Sequence, residues 1–369
     1  MSSINTNINR KARAQLRKLY VSNFLANISI AGAAWVALLA SRGFSMQEIM
    51  FAETVFHIVS LVNEVPSGLI ADIFGRKKSL ILSCLLSITS ALVMILINSY
   101  GGVLLSIGLN ALSYNYGSGT DSALAFDTLK ESEDTSYYDR FSSLQSVIYR
   151  VATGLASLSA GLALWMGYIN AEFITVGLCL IQLALLITLK ENRVIEAKQN
   201  LSLSQRFHDC YTESLGFLRH NREATRLIFR NALVGAIDIL LLFALQDKLQ
   251  RAGAGQMIFG PMLFIMYLGG VLGSIAAEKA GNIKLTKLFL IAFGIVLAGG
   301  ALAFTGNPWL MTLGGFIAAF SDDLIQIRSD IALNNMIPAG SRATLISVNS
   351  FCFSVVMIVL SPLAGVIFS

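Results

Sequence analysis

GLIADIFGRKK, residues 68–78, closes one apolar run and opens the next, and it sets Asp72 one helical turn before three cations, Arg76, Lys77 and Lys78. A charge held within a membrane costs at least about 2.5–3.5 kcal/mol, so Asp72 calls for a partner. Gly68 and Gly75 permit close backbone approach and a tight turn. The cations suit an anchor at an anionic membrane surface. Outward from this turn the apolar runs continue both ways. Of the 369 residues, 55% are hydrophobic and only 13% are Asp, Glu, Lys or Arg, with a mean hydropathy of +0.66. Soluble domains carry roughly 25% charged residues, so composition excludes a soluble enzyme, a disordered chain and a coiled coil. A net charge of +5, scattered between apolar runs, does not suggest nucleic acid. Cys84, Cys179, Cys210 and Cys352 lie far apart without CxxC spacing, so neither a disulfide framework, a metal site nor a cofactor is expected.

A bilayer core of about 30 Å takes roughly 20 apolar residues per helix. That ruler predicts an all-α polytopic membrane protein with eleven spans, at about 19–41, 46–71, 79–98, 101–127, 142–166, 169–189, 226–248, 255–277, 285–304, 308–333 and 342–368. The runs are continuous and do not alternate with period two, which excludes a β-barrel. MSSINTNINRKARAQLRKLY at the start lacks the apolar core and cleavage site of a signal peptide. It reads as a polar cytoplasmic lead-in.

Lys and Arg collect in that lead-in and in the connections after the second, fourth, sixth, eighth and tenth spans; the others hold only Arg42, Lys248 and Arg251. This asymmetry predicts a cytoplasmic N-terminus for a multi-pass protein of the cytoplasmic (inner) membrane. The longest connection, 190–225, divides the chain into helix bundles at 1–189 and 226–369. Within it Leu203, Phe207, Tyr211, Leu215 and Leu218 recur at helical spacing, which predicts an amphipathic helix on the membrane surface. KLYVSNFLANI at 18–28 aligns with RLIFRNALVGA at 226–236, and QEIMF at 47–51 with QMIF at 256–259. These common offsets support an internal duplication.

Gly68, Asp72, Gly75, Arg76 and Lys77 match the pattern G-x-x-x-D-x-x-G-R-K/R, and with EVPSGLIAD, GTDSALAFDTLKE and IPAGSRATLISV the chain resembles the major facilitator superfamily, in a bacterial drug- or metabolite-efflux-like branch. The resemblance spans the whole chain. It implies two helix bundles around a central cavity and a charge relay of Asp72 and Arg76 with Asp127, which latches the halves and breaks during alternating access. Two efflux features are missing: SYNYGSGTD lacks the fourth-helix Arg, and YRVATGLASLSAGLAL lacks the fifth-helix Pro. The family norm is twelve helices and only eleven are counted here. A monomer is expected, with a dimer through the face left by the twelfth helix as the alternative.

Charges inside the apolar runs are the other candidates for function. Glu53, His57 and Glu64 share a face of the second span, a spacing that suits a proton relay. Glu64, Asp121 and Arg150 are expected at similar depth, with Asp121 and Arg150 paired. Asp238 in the seventh span is a candidate proton or cation site. In the pair Asp322–Asp323 only one side chain is expected to face inward, because adjacent helix positions diverge by about 100°. No GxxxxGK[ST] is present, so an ion gradient would supply the energy. The expected activity is secondary transport of a small organic solute, by proton-coupled export. Uptake or facilitated diffusion is the alternative within transport, and a non-transporting sensor or scaffold the alternative outside it. No nucleophile–base pair suggests an enzyme.

Overall fold

The computed structural model describes residues 9–191, 221–336 and 342–369, with isolated positions at 205, 212, 216 and 219. The expected amphipathic helix of the central connection lies outside the described residues. Fourteen α-helices are described: α1 (Arg10–Asn27), α2 (Ile30–Ala33), α3 (Trp35–Ser41), α4 (Met46–Phe74), α5 (Arg76–Leu96), α6 (Tyr100–Gly117), α7 (Thr120–Glu131), α8 (Tyr138–Leu158), α9 (Ala160–Ile187), α10 (Arg222–Arg251), α11 (Gln256–Ala276), α12 (Leu285–Leu302), α13 (Pro308–Met336) and α14 (Arg342–Phe368). No strand occurs among the described residues.

Among the described residues, seven helices are long and apolar enough to cross a membrane, and α4, bent beside Pro66, makes an eighth. Proline removes an intrahelical bond and clashes with the preceding turn, which accounts for the bend. The first, fourth and fifth expected spans are interrupted. The first becomes α1, α2 and α3, with breaks after Asn27 and at Ala34. The fourth breaks into α6 and α7 at Gly117–Ser118–Gly119, where Gly119 takes φ +69°, a left-handed conformation that costs glycine little. The fifth breaks at Ser159, after which α9 runs to a kink at Gly167 with φ +79°. The lead-in is also more structured than its polarity predicts. It is helical from Arg10 and buries Ala12, Leu16 and Leu19, a spacing that builds one apolar stripe.

The chain packs into two compact units that interleave along the sequence. One takes in 1–29, 62–156 and 169–206, and the other 30–61, 157–168 and 207–369. In the first unit Leu16, Leu19, Leu124, Leu129, Phe141 and Leu186 form the core. Helices α5 and α6 are stapled by reciprocal serine bonds. Ser83 Oγ donates to the Ser113 carbonyl at 2.7 Å and Ser113 Oγ returns to Ser83 at 2.8 Å, and Ser90 and Ser106 repeat the arrangement at 2.8 and 2.9 Å. Small residues and cross-helix hydroxyls hold helices together where the surrounding lipid supplies no hydrophobic drive. In the second unit glycines do the same work. A Cβ on Gly269 or Gly273 of α11 would collide with the carbonyls of Phe316 or Phe320 on α13.

Candidate functional site

The turn between α4 and α5 is built by Gly75, whose φ of +109° disfavours any side chain. A Cβ there would also lie 2.5 Å from Glu191 Oε2. That carboxylate accepts a 3.0 Å bond from the Lys77 amide, capping the start of α5, where unpaired amides and the helix dipole favour a negative group. Lys77 Nζ donates to the Ile187 carbonyl at 2.7 Å, a second tie between this turn and the end of α9. Gly68, by contrast, has no neighbour within 4 Å of a built Cβ, so close packing does not explain it.

The turn carries Arg76 onto Asp127 of α7, with Nη1 2.8 Å from Oδ2. The Asp127 side chain is 9% exposed and that of Arg76 26%. Asp72 stands 3.9 Å from Arg76 and is 57% exposed. Asp72 and Arg76 thus form a long ion pair one helical turn apart. The shorter contact is the one between Arg76 and Asp127.

Asp121 does not pair with Arg150 as expected. Its Oδ2 accepts from Gln145 Nε2 at 2.5 Å and its Oδ1 from the Ser122 amide at 2.7 Å. The break at Gly119 puts Asp121 in the first turn of a new helix, so the register read from one continuous span does not hold. Glu64 lies in this same unit as Asp121 and Arg150.

In the second unit His57 is 7% exposed. Its Nε2 lies 3.2 Å from Glu53 Oε1, and its Nδ1 lies 3.3 Å from Ser354 Oγ on α14. Phe56 and Phe353 approach the imidazole edge-on at 5.3 and 5.7 Å. The Glu53–His57 part of the predicted relay is thus assembled, whereas Glu64 belongs to the other compact unit. Ser354 was illegible in the sequence, because one hydroxyl in an apolar run carries no signal.

Asp238 of α10 shares an electrostatic neighbourhood with Asp322 and Asp323 of α13. A Cβ on Gly235 would lie 3.3 Å from Asp322 Oδ1, whereas one on Gly270 would overlap Asp323 Oδ2. The adjacent aspartates therefore turn toward different helices, α10 and α11, as their angular separation requires. Among the described residues no group of three or more His, Cys, Asp or Glu is placed to hold a metal ion.

The second unit also joins the two halves of the sequence. Gly161 of α9 and Gly260 of α11 bring their helices into backbone contact, since a Cβ on either would collide with the Gln256 or Leu158 carbonyl respectively. A Cβ on Gly365 of α14 would lie 3.1 Å from Gln47 Cα of α4. Gln246 of α10 bonds the backbone of α2 and α3. A family model covers residues 19–369. The chain belongs to the Major Facilitator Superfamily. Solved structures of this superfamily's fold match nearly the whole chain. Nucleoside transporter NupG aligns with a TM-score of 0.71 and 14% identity, over 96% of this chain and 95% of that one. A D-xylose-proton symporter gives 0.64 and 14%, over 95% and 87%. A bacterial homolog of the human lysosomal transporter Spinster, in an inward-facing and occupied conformation, gives 0.67 and 15%, over 96% and 81%. Comparison with curated protein sequences gives no match. The chain is thus a multi-pass membrane protein with a transporter fold.

Proposed function

We propose that this superfamily member exports a small organic solute across the bacterial inner membrane by alternating access, driven by inward proton flow. The observation that carries the reading is the Glu53–His57–Ser354 cluster. It sets a titratable pair on α4 against α14, so that protonation and the packing of the two sequence halves bear on the same contact. Imidazole changes charge in the physiological range, which suits a coupling group. Asp238 and Asp322 are further proton or substrate candidates. Glu64, Asp121 and Arg150 form a secondary cluster. Gly68, Asp72, Gly75, Arg76 and Asp127 are the gating set, in which Arg76–Asp127 is the latch.

The distribution of Lys and Arg supports a cytoplasmic N-terminus. On that orientation the end marked by Arg42 and Lys248 faces outward. The contacts of Gly161, Gly365 and Gln246 then describe an outward side that is closed. The bundles at 1–189 and 226–369 are read as duplicated halves, acting as a monomer. Proton-coupled uptake is the second reading, suggested by the D-xylose-proton symporter among the matching folds.

The test is proton flux in proteoliposomes under an imposed pH gradient, with amphipathic drugs, siderophore-like metabolites, sugars and nucleosides supplied in turn. Export predicts that one class dissipates the gradient, with proton and solute moving in opposite directions, and that Asp238→Asn or His57→Gln abolishes the response. Movement in the same direction selects uptake. If no class moves protons through folded protein, coupling loses its support.

A further inference from the structure

Helix α3 starts after a break at Ala34, whose φ of −118° and ψ of 17° are not helical. In an unbroken helix the Ala37 amide would donate to the Ala33 carbonyl, four residues back. Here both groups go to one side chain. Gln246 Oε1 accepts from the Ala37 amide at 3.3 Å, and Gln246 Nε2 donates to the Ala33 carbonyl at 3.3 Å. The carboxamide presents a donor on Nε2 and an acceptor on Oε1, and it stands in for the very bond that the break removes. Backbone bonding resumes on either side, as a three-residue turn before the break and an α-helical bond after it. The Ala34 amide bonds the Ala31 carbonyl at 3.2 Å, and the Leu38 amide bonds the Ala34 carbonyl at 2.8 Å. A side chain inserted into the helical ladder is a recognised cause of a sharp kink.

The surroundings fit an insertion. Gln246 is 3% exposed, and Ala34 and Ala37 are fully buried. The run Ala31-Gly32-Ala33-Ala34 is small enough for a carboxamide to reach the backbone. Trp35, the first residue after the break, meets Phe243 edge-on at 5.1 Å, one turn from Gln246 on α10. In the broken geometry the buried amide and carbonyl would be stranded without Gln246, which native backbones avoid.

We propose that Gln246 is a detachable plug in the first transmembrane helix, and that its release is balanced by reclosure of the Ala37–Ala33 bond. In the state described here the helix is broken and Gln246 is docked. When α10 moves away, the amide and carbonyl find each other and the carboxamide is left to water. The Ala37 amide and the Ala33 carbonyl keep a partner in both states, so neither backbone group is orphaned by the exchange. Alanine is the best helix former, so the straight form is readily reached. Gln246 is therefore a positioning residue of the transport cycle, favouring the outward-closed form. The inference rests on the alternating-access reading.

The test uses full-length protein in lipid nanodiscs, with Cys84, Cys179, Cys210 and Cys352 replaced and spin labels at Ser41→Cys and Gly255→Cys. Gln246→Met keeps the side chain's length but can make neither bond. It is expected to raise the open-to-closed ratio roughly tenfold, equivalent to about 1.4 kcal/mol, seen as a longer interspin distance. Hydrogen exchange of the peptide around Ala37 is expected to stay slow, because the amide returns to Ala33. Gln246→Leu serves if the Met variant does not fold. Gly161→Val, which wedges an independent crossing, separates the possible failures. If it lengthens the distance and Gln246→Met does not, the plug is refuted while alternating access stands. If neither moves the distance, alternating access at this end fails and the plug with it. If Gln246→Met lengthens the distance but the Ala37 amide exchanges at least tenfold faster, the reclosure is refuted.

Discussion

Arg76 Nη1 lies 2.8 Å from Asp127 Oδ2, although 51 positions separate the two in sequence, because the positive φ of Gly75 turns α5 back beside α7. Removing one partner of a well-buried ion pair costs more than removing both, since the survivor is left uncompensated. Arg76→Gln is expected to destabilise the protein by about 1–3 kcal/mol, scaled down from a fully buried pair because Arg76 is partly exposed. The double variant with Asp127→Asn is expected to recover part of that loss. Thermal melting in detergent measures the cycle, and strictly additive effects would show that the two side chains are not coupled.

Gly75→Ala introduces two separable faults. Its φ of +109° is strained for alanine, and its Cβ would meet the Glu191 carboxylate. A loss of about 1–3 kcal/mol is expected from strain together with overpacking. Glu191→Ala relieves only the second fault, so the double variant should be more stable than the sum of the single variants. A sum that matches would remove Glu191 from the turn.

Glycines in the second unit should divide by their surroundings. Gly273→Ala puts a methyl into the Phe320 carbonyl and is expected to cost about 1–3 kcal/mol. Gly294, inside α12, has nothing within 4 Å of a built Cβ, so Gly294→Ala should be neutral or stabilise by up to about 1 kcal/mol. Melting temperatures moving the same way for both variants would contradict the packing described here.

Glu53 is held against His57 on one helix, whereas Ser354 reaches it from another. His57→Gln keeps hydrogen-bonding ability but cannot titrate. It is expected to abolish proton-driven accumulation in proteoliposomes while leaving solute exchange measurable. Ser354→Ala removes one orienting bond and should displace the pH profile of transport without eliminating it. Full accumulation in His57→Gln would dismiss the imidazole as the coupling group.

Asp238→Asn and Asp322→Asn each remove one member of a close carboxylate set. If the two act on a shared proton, either substitution should abolish proton-coupled flux and the double variant should be no worse. Independent, multiplicative losses measured by the same flux assay would assign them separate roles.

Hydropathy alone determined that the chain is an all-α membrane protein, because runs of some 20 apolar residues have few other stable fates. The spacing of Gly68, Asp72, Gly75 and Arg76 was enough to find the turn, and a family pattern pointed to Asp127. Local sequence also put His57 one turn from Glu53, since four positions along a helix is a geometric certainty. Contacts between distant segments were not legible in this way. Gln145 takes Asp121 because the helix breaks at Gly119, and a continuous apolar run does not announce that break. Glu191, Ser354 and Gln246 act through a carboxylate on a distant amide, a hydroxyl across two helices and a carboxamide in another helix's ladder. Each of these depends on where two backbones cross within about 3 Å of a polar atom. Only tertiary packing sets that distance, because small residues such as Gly75 and Ala34 admit a neighbour without specifying which one arrives.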